Sequence, residues 1–158
     1  MTVAHWENTV SHHFKMVLAA ACALATRARE QVGSDHLLLA ISYQNGPLWR
    51  AVLRDLNVDA LAFRSGIELF VDAHSQAGRA LPGPSGLLSP QAHAVFGQAL
   101  TYGKERGGAS VLNVGTVLLA LANESKGRIA AILQECGIDV ARFHREVERN
   151  LVRETDEL

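Results

Sequence analysis

The residues able to do chemistry in this chain are few, and their spacing suits neither metal binding nor catalysis. There are seven histidines, but His12 and His13 are adjacent, so on a helix their rings point about 100° apart and do not chelate as an i, i+4 pair. Neither HExxH nor CxxC spacing occurs, and no metal site is expected. Cys22 stands among Ala20, Ala21 and Ala23, and Cys136 precedes Gly137. A nucleophilic thiol needs a base and an open, electropositive setting; both cysteines instead read as small apolar core residues, with no disulfide between them. No Ser-His-Asp arrangement stands out. A phosphate loop G-x-x-x-x-G-K-[ST] needs its lysine, and neither Gly107-Gly108-Ala109-Ser110 nor Gly115-Thr116 is followed by one. The expectation is a non-enzyme without a cofactor. What remains are polar residues at helix starts, Ser34-Asp35 and Ser89-Pro90, and the aromatics Trp6, Tyr43 and Trp49. Read simply as helix caps, Asp35 and Ser89 contribute about 1 kcal/mol each.

The elements that position these residues come twice. Sliding the sequence by 80 residues lays Leu37–Arg64 over Val117–His144 without a gap, matching Leu38/Leu118, Leu39/Leu119, Ala40/Ala120, Ala51/Ala131, Leu53/Leu133, Asp59/Asp139 and Phe63/Phe143. Most of these pairs are apolar and recur on one helical face, so the same core is built twice. In the first copy, Phe14, Val17, Leu18, Ala21 and Leu24 keep the helical period over about 10–29. A second helix opens at Ser34 and ends near Asn45-Gly46, and Pro47 leads a third through Leu56. Asp59 caps a fourth over about 60–73. In the second copy, Ser89-Pro90 starts a helix running to about Lys104, Asn113 caps one over 114–122, a third covers about 126–136, and Asp139 caps a last one over about 140–152. The tail from Arg153 is expected to fray. Residues 74–88, with Gly78, Pro82, Gly83, Pro84, Ser85 and Gly86, read as a linker. The expected architecture is therefore all-α: one domain of two pseudo-symmetric four-helix units, about 9–73 and 89–152, with essentially no sheet.

Composition narrows the function. At 158 residues and 48% hydrophobic, the chain can bury the core of one domain. The longest apolar run, Met16–Ala25, is bounded by Lys15 and Arg27, too short to span a bilayer. No basic segment precedes it, so no signal peptide is read and a cytoplasmic protein is expected. Net charge is −1 and evenly spread, which speaks against nucleic-acid binding.

At this point the residues resemble a known family. Ser34-Asp35-His36-Leu37-Leu38-Leu39-Ala40-Ile41 resembles the pattern G-T-E-H-L-L-L-A-L of the N-terminal repeat of Clp protease chaperones. Leu53-Arg54-Asp55-Leu56-Asn57-Val58-Asp59 and Leu133-Gln134-Glu135-Cys136-Gly137-Ile138-Asp139 are similar to its V-L-x-x-L-G-V-D, and Leu88-Ser89-Pro90-Gln91-Ala92 to its F-T-P-x-A. The resemblance covers about 9–152. It implies a helical head domain of AAA+ unfoldases that captures substrates or adaptors. With no ATPase segment, the chain reads as an excised head domain or a stand-alone relative, and Met1 and the charged tail favour the latter. The expected partners are proteins (a Clp ATPase, a peptidase core, an adaptor or a substrate), bound by a monomer.

Some members bind phosphoarginine. The resemblance implies a pocket in each repeat, with an acid for the guanidinium and a hydroxyl at the first-helix start for the phosphate. Here the first copy keeps Ser34 and Asp35, but its first-helix position falls at Val10, flanked by Thr9 and Ser11. The second keeps Ser89 but has Val114, Gly115 and Thr116 where the acid and histidine belong. Neither repeat is complete. Tyr43 matches polar Asn123 and is expected to expose its ring as a partner anchor, whereas Trp49 matches Ile129 and is expected in the core. Candidate ligand or partner residues are thus Ser11, Ser34, Asp35, Tyr43 and Ser89. The alternatives are a phosphoarginine- or small-molecule-binding decoy and an unrelated all-α regulator.

Overall fold

The structure, a computed structural model, describes residues 11–74, 88–105, 112–124 and 127–157, with side chains as far as Leu151. Eight helices are described: α1 His12–Arg27, α2 Ser34–Gln44, α3 Pro47–Leu56, α4 Ala60–Ala73, α5 Pro90–Glu105, α6 Val114–Ala122, α7 Arg128–Glu135 and α8 Val140–Glu157. None is long and apolar enough to cross a membrane. Trp6, Thr9, Val10, the Gly107-Gly108 helix stop and most of the linker lie outside the described residues.

Local chemistry sets the helix ends. Ser11 and Ser89 accept from the amides of Phe14 and Ala92 at 3.2 and 3.1 Å. Asp59 and Asp139 do the same for Ala62 and Arg142 at 2.9 and 3.0 Å. Asn45 and Asn57 turn the chain with φ of 49° and 56°, and Gly137, at the place of Asn57, with 74°. Some boundaries differ from expectation. α1 runs His12–Arg27 rather than about 10–29. α7 starts at Arg128 rather than Lys126. α8 continues to Glu157 instead of fraying after Val152, because no glycine or proline interrupts 152–157 and its arginines and glutamates are good helix formers.

The core lies between two central helices. Ser34 to Ser42 of α2 are all buried, as are Gly115 to Ala122 of α6, the pattern of helices enclosed on every side. α1 and α4 pack on α2, α5 and α8 pack on α6, and α2 touches α6. The units also interlock, α3 on α8 and α4 on α7, so each supplies the other's outer layer. Phe63 and Phe143, equivalent in the two copies, meet edge to face with centroids 6.4 Å apart, and Trp49 stacks on Phe63 at 5.4 Å. Two backbone links repeat the symmetry: the Ser11 amide donates to the Leu112 carbonyl (2.8 Å) and the Ser89 amide to that of Val32 (2.9 Å). An isolated bridge joins Val32 to Leu88.

Candidate functional site

Each backbone link sets the start of one unit's first helix beside the start of the other unit's second helix, making two related junctions. They are built from equivalent positions with opposite chemistry. Where one has Ser34, Asp35, Glu124 and Arg128, the other has Val114, Gly115, Gln44 and Leu48, each offset by 80 residues.

The first junction is charged. Gly33, not Asp35, is the N-cap of α2, and His36 Nδ1 accepts the Gly33 amide at 2.9 Å. That bond leaves the imidazole proton on Nε2, which is buried without a partner among the described residues. The Asp35 carboxylate, 1% exposed, turns sideways, and its Oδ2 accepts from Arg128 Nη1 at 2.8 Å. Asp35 Oδ1 crowds the Gly33 Cα: a Cβ there would stand 2.7 Å from it, so glycine is what admits the carboxylate. Glu124 bonds Ser34, and burial, followed by the charge of Asp35, pushes its carboxyl pKa above the usual range. Asp35 Oδ1 and Glu124 Oε2 are both buried with no hydrogen-bond partner among the described residues.

The second junction is uncharged and open. A pocket of about 220 Å³ is lined by His13, Ile41, Gln44, Gly46, Pro47, Leu48, Trp49, Val114 and Gly115. Among the described residues, no Asp, Glu, Lys or Arg contributes to it. A Cβ at position 115 would lie 2.4 Å from a Leu151 methyl carbon, so the place of Asp35 is taken here by Leu151 and Leu48 packed over a glycine. A 150 Å³ apolar cavity suffices for a benzene ring, and this pocket accommodates one large apolar side chain.

The placement of the candidate residues revises the sequence reading. The equivalent of Ser89 is Ser11, not Val10. The segment joining the first two helices is 28–33 in one unit and 106–113 in the other, and this two-residue difference shifts the register. Moreover, the acid of the first copy and the hydroxyl of the second are brought to the same junction, so the incompleteness of each repeat does not describe the assembled molecule. Ser89 is a cap, as read; Asp35 is not. Tyr43 lies elsewhere, on the outer face of the first unit, 47% exposed. Its hydroxyl donates to Glu68, and the Arg64 guanidinium sits 4.9 Å from its ring centroid. It borders a shallow depression with Leu24, Arg27, Ala28, Leu39, Glu68, Val71 and Asp72. Both cysteines are free and half-buried, with burial raising the pKa of each. Trp49 is 1% exposed.

This arrangement has a family. The chain matches the Clp repeat N-terminal domain over residues 9–125 and, overlapping, 87–157. It belongs to that family. Among solved structures, this Clp repeat domain is similar to the Hsp104 N-terminal domain from Candida albicans (TM-score 0.70, 19% identity, covering 87% of this chain and 88% of that one). It is also similar to a chain from a malarial protein secretion system (TM-score 0.66, 15% identity, covering 90% and 95%). The N-terminal domain of the caseinolytic protease associated chaperone ClpD from Arabidopsis thaliana resembles it equally (TM-score 0.66, 14% identity, covering 91% and 95%). At these identities the likeness is one of fold. No curated protein matches the chain. Clp repeat domains are protein-interaction modules of Clp chaperones.

Sequence reasoning passed over Arg128, Glu124 and Gln44, and weighed His13 only as a metal ligand. A signal for Arg128 did exist: it is the charged residue facing Leu48 in the 80-residue comparison. What no spacing shows is that position 128 of one unit reaches position 35 of the other.

Proposed function

We propose that this Clp repeat domain is a non-catalytic protein-binding module that holds an apolar side chain of a substrate or adaptor polypeptide in the Gly115 pocket. Work as a monomer, in the cytoplasm, for a Clp chaperone–protease is part of the same proposal. One observation carries it. The open junction is uncharged at the positions where its twin bears three charged side chains, so it favours an uncharged, apolar occupant. Family membership supports the protein-binding class.

The test uses Val114→Asp. Val114 is the first residue of α6, where an acid complements the helix dipole and the fold tolerates it, yet the carboxylate enters the pocket wall. Titration of an extended apolar peptide, followed by tryptophan fluorescence, is expected to saturate with the wild type. The variant is expected to bind about tenfold more weakly or worse. Equal binding by a folded variant would remove the pocket from the reading.

A further inference from the structure

The outer contact between the units is also made twice, with opposite chemistry. α3 packs on α8, and in the equivalent way α7 packs on α4. Along the first contact stand Arg50 and Arg54, one turn apart on α3, and Arg142, Arg145 and Arg149, at i, i+3 and i+7 on α8; all are exposed. Offset by 80 residues, the second contact has Ala130, Gln134, Ala62, Ser65 and Leu69 in those places. The fold therefore packs these helices without arginine, and exposed ion pairs add little stability. The acids within the arginine face are recessed. Asp55 and Glu146 side chains are 15% and 12% exposed, against 71% for Arg54 and 52% for Arg149. Asp55 is held mainly by Asn150, which donates to its Oδ2 at 3.0 Å. Arg54 and Arg149 stand 3.5 Å from the Asp55 carboxylate, Arg149 is 3.7 Å from Glu146, and Arg142 reaches the Asp55 carbonyl at 3.3 Å. A committed charge-assisted bond measures about 2.7–2.9 Å, so these contacts engage the guanidinium forks only loosely. Of the neighbouring acids, Asp139 is engaged in capping α8 and Glu148 pairs with His144.

We propose that the α3–α8 face is a docking surface for an acidic segment of a partner polypeptide, whose carboxylates pair with Arg54, Arg142, Arg145 and Arg149. Charge complementarity names the occupant. The chain as a whole carries a net charge of −1, yet on this face arginines project and carboxylates are withdrawn. Planar forks suit carboxylates, which they bind in bidentate fashion. The stripe from Arg142 to Arg149 rises about 10 Å along α8, the length of two turns of a helical peptide. Asp55 and Glu146 favour a peptide over a nucleic acid. A duplex backbone brings one negative charge per about 1.7 Å and would press against both acids, whereas the carboxylates of a peptide come singly and can straddle them. Arg145, which points to solvent one turn from Arg142 and Arg149, extends the face beyond what Asp55 can neutralise. The surface is distinct from the Gly115 pocket, none of whose lining residues is an arginine.

The experiment is fluorescence anisotropy of a labelled oligoglutamate peptide titrated with the full chain, at low and at physiological ionic strength. The wild type is expected to bind saturably and to weaken as salt rises. Arg54→Glu/Arg145→Glu reverses two exposed charges of the face and is expected to bind at least about fivefold more weakly. Lys15→Glu/Lys104→Glu makes the same change in net charge on α1 and α5 and is expected to bind within about twofold of the wild type. The proposal is overturned if the wild type does not bind oligoglutamate, or if the two variants lose equally, since net charge and not this face would then be responsible. It is also overturned if a labelled oligonucleotide binds more tightly than the peptide and loses its binding in Arg54→Glu/Arg145→Glu. Should that variant fail to fold, Arg54→Gln/Arg145→Gln removes the charges with helix-compatible residues; it is expected to bind about twofold to threefold more weakly, and unchanged binding would end the idea. Val114→Asp is expected to leave oligoglutamate binding intact, so failure of the Gly115 pocket and failure of this face are read separately.

Discussion

Glu124 shows how one carboxyl registers its surroundings. Burial and the nearby Asp35 charge raise its pKa, although the Ser34 hydrogen bond opposes them. In the folded state it therefore holds its proton more tightly than in the unfolded chain, where a glutamate titrates near about 4.3. The sign of the linkage follows. Its contribution to stability is fully present below the unfolded pKa and is lost as pH rises through the raised folded value. Glu124→Gln is accordingly expected to be more stable than the wild type at pH 7, with the advantage shrinking towards pH 4; urea melts across that range check it. Asp55 has the opposite sign. Asn150 donates to its Oδ2 at 3.0 Å, Arg54 and Arg149 lie beside it, and its pKa is lowered. Its contribution is present above the unfolded value, near about 3.9, and lost as pH falls through the folded one. The residue scale also explains why the sequence places Asp35 at a helix start and no further: an acid in the first turn ordinarily complements the helix dipole, and nothing local announces a guanidinium 93 residues away.

Among the elements, equivalent helices obey equivalent rules. The fourth helix of each unit starts at an aspartate that accepts an amide three residues on, Asp59 for α4 and Asp139 for α8. Both acids are exposed, so their substitution tests the cap with little else changed. Asp59→Ala and Asp139→Ala are each expected to cost about 1 kcal/mol in chemical denaturation, equally within about 0.5 kcal/mol, and to add in the double variant. A marked inequality would mean that one helix start carries a further load. The eight helices among the described residues were legible from the 3.6-residue period, the Asp caps and Pro47 and Pro90. The end of α8 was not, because charge was read as fraying whereas arginine and glutamate are helix-compatible.

For the whole molecule, the consequence of duplication is that neither unit has a complete core. Phe63 and Phe143 touch across the pair, Trp49 covers Phe63, and α3 and α8 seal one another. Phe63→Ala and Phe143→Ala are each expected to cost about 3–5 kcal/mol. Each should shift a single cooperative transition, with tryptophan fluorescence and far-ultraviolet dichroism coincident. Two separated transitions would show the units folding independently and contradict the shared core.

Local patterns settled the repeat, the all-helical class and the leucine-rich faces, because helix period, caps and an ungapped match of apolar positions are all short-range or directly comparable along the chain. They also settled that Tyr43 would be exposed and Trp49 buried, since each could be judged against its partner position, Asn123 or Ile129. The composition of the two junctions was settled elsewhere. Asp35 with Arg128, and Gly115 with Leu48 and Leu151, are long-range pairs created by how one unit packs against the other. A pairing between units depends on their packing angle and on the two-residue difference between 28–33 and 106–113, neither of which any local propensity encodes.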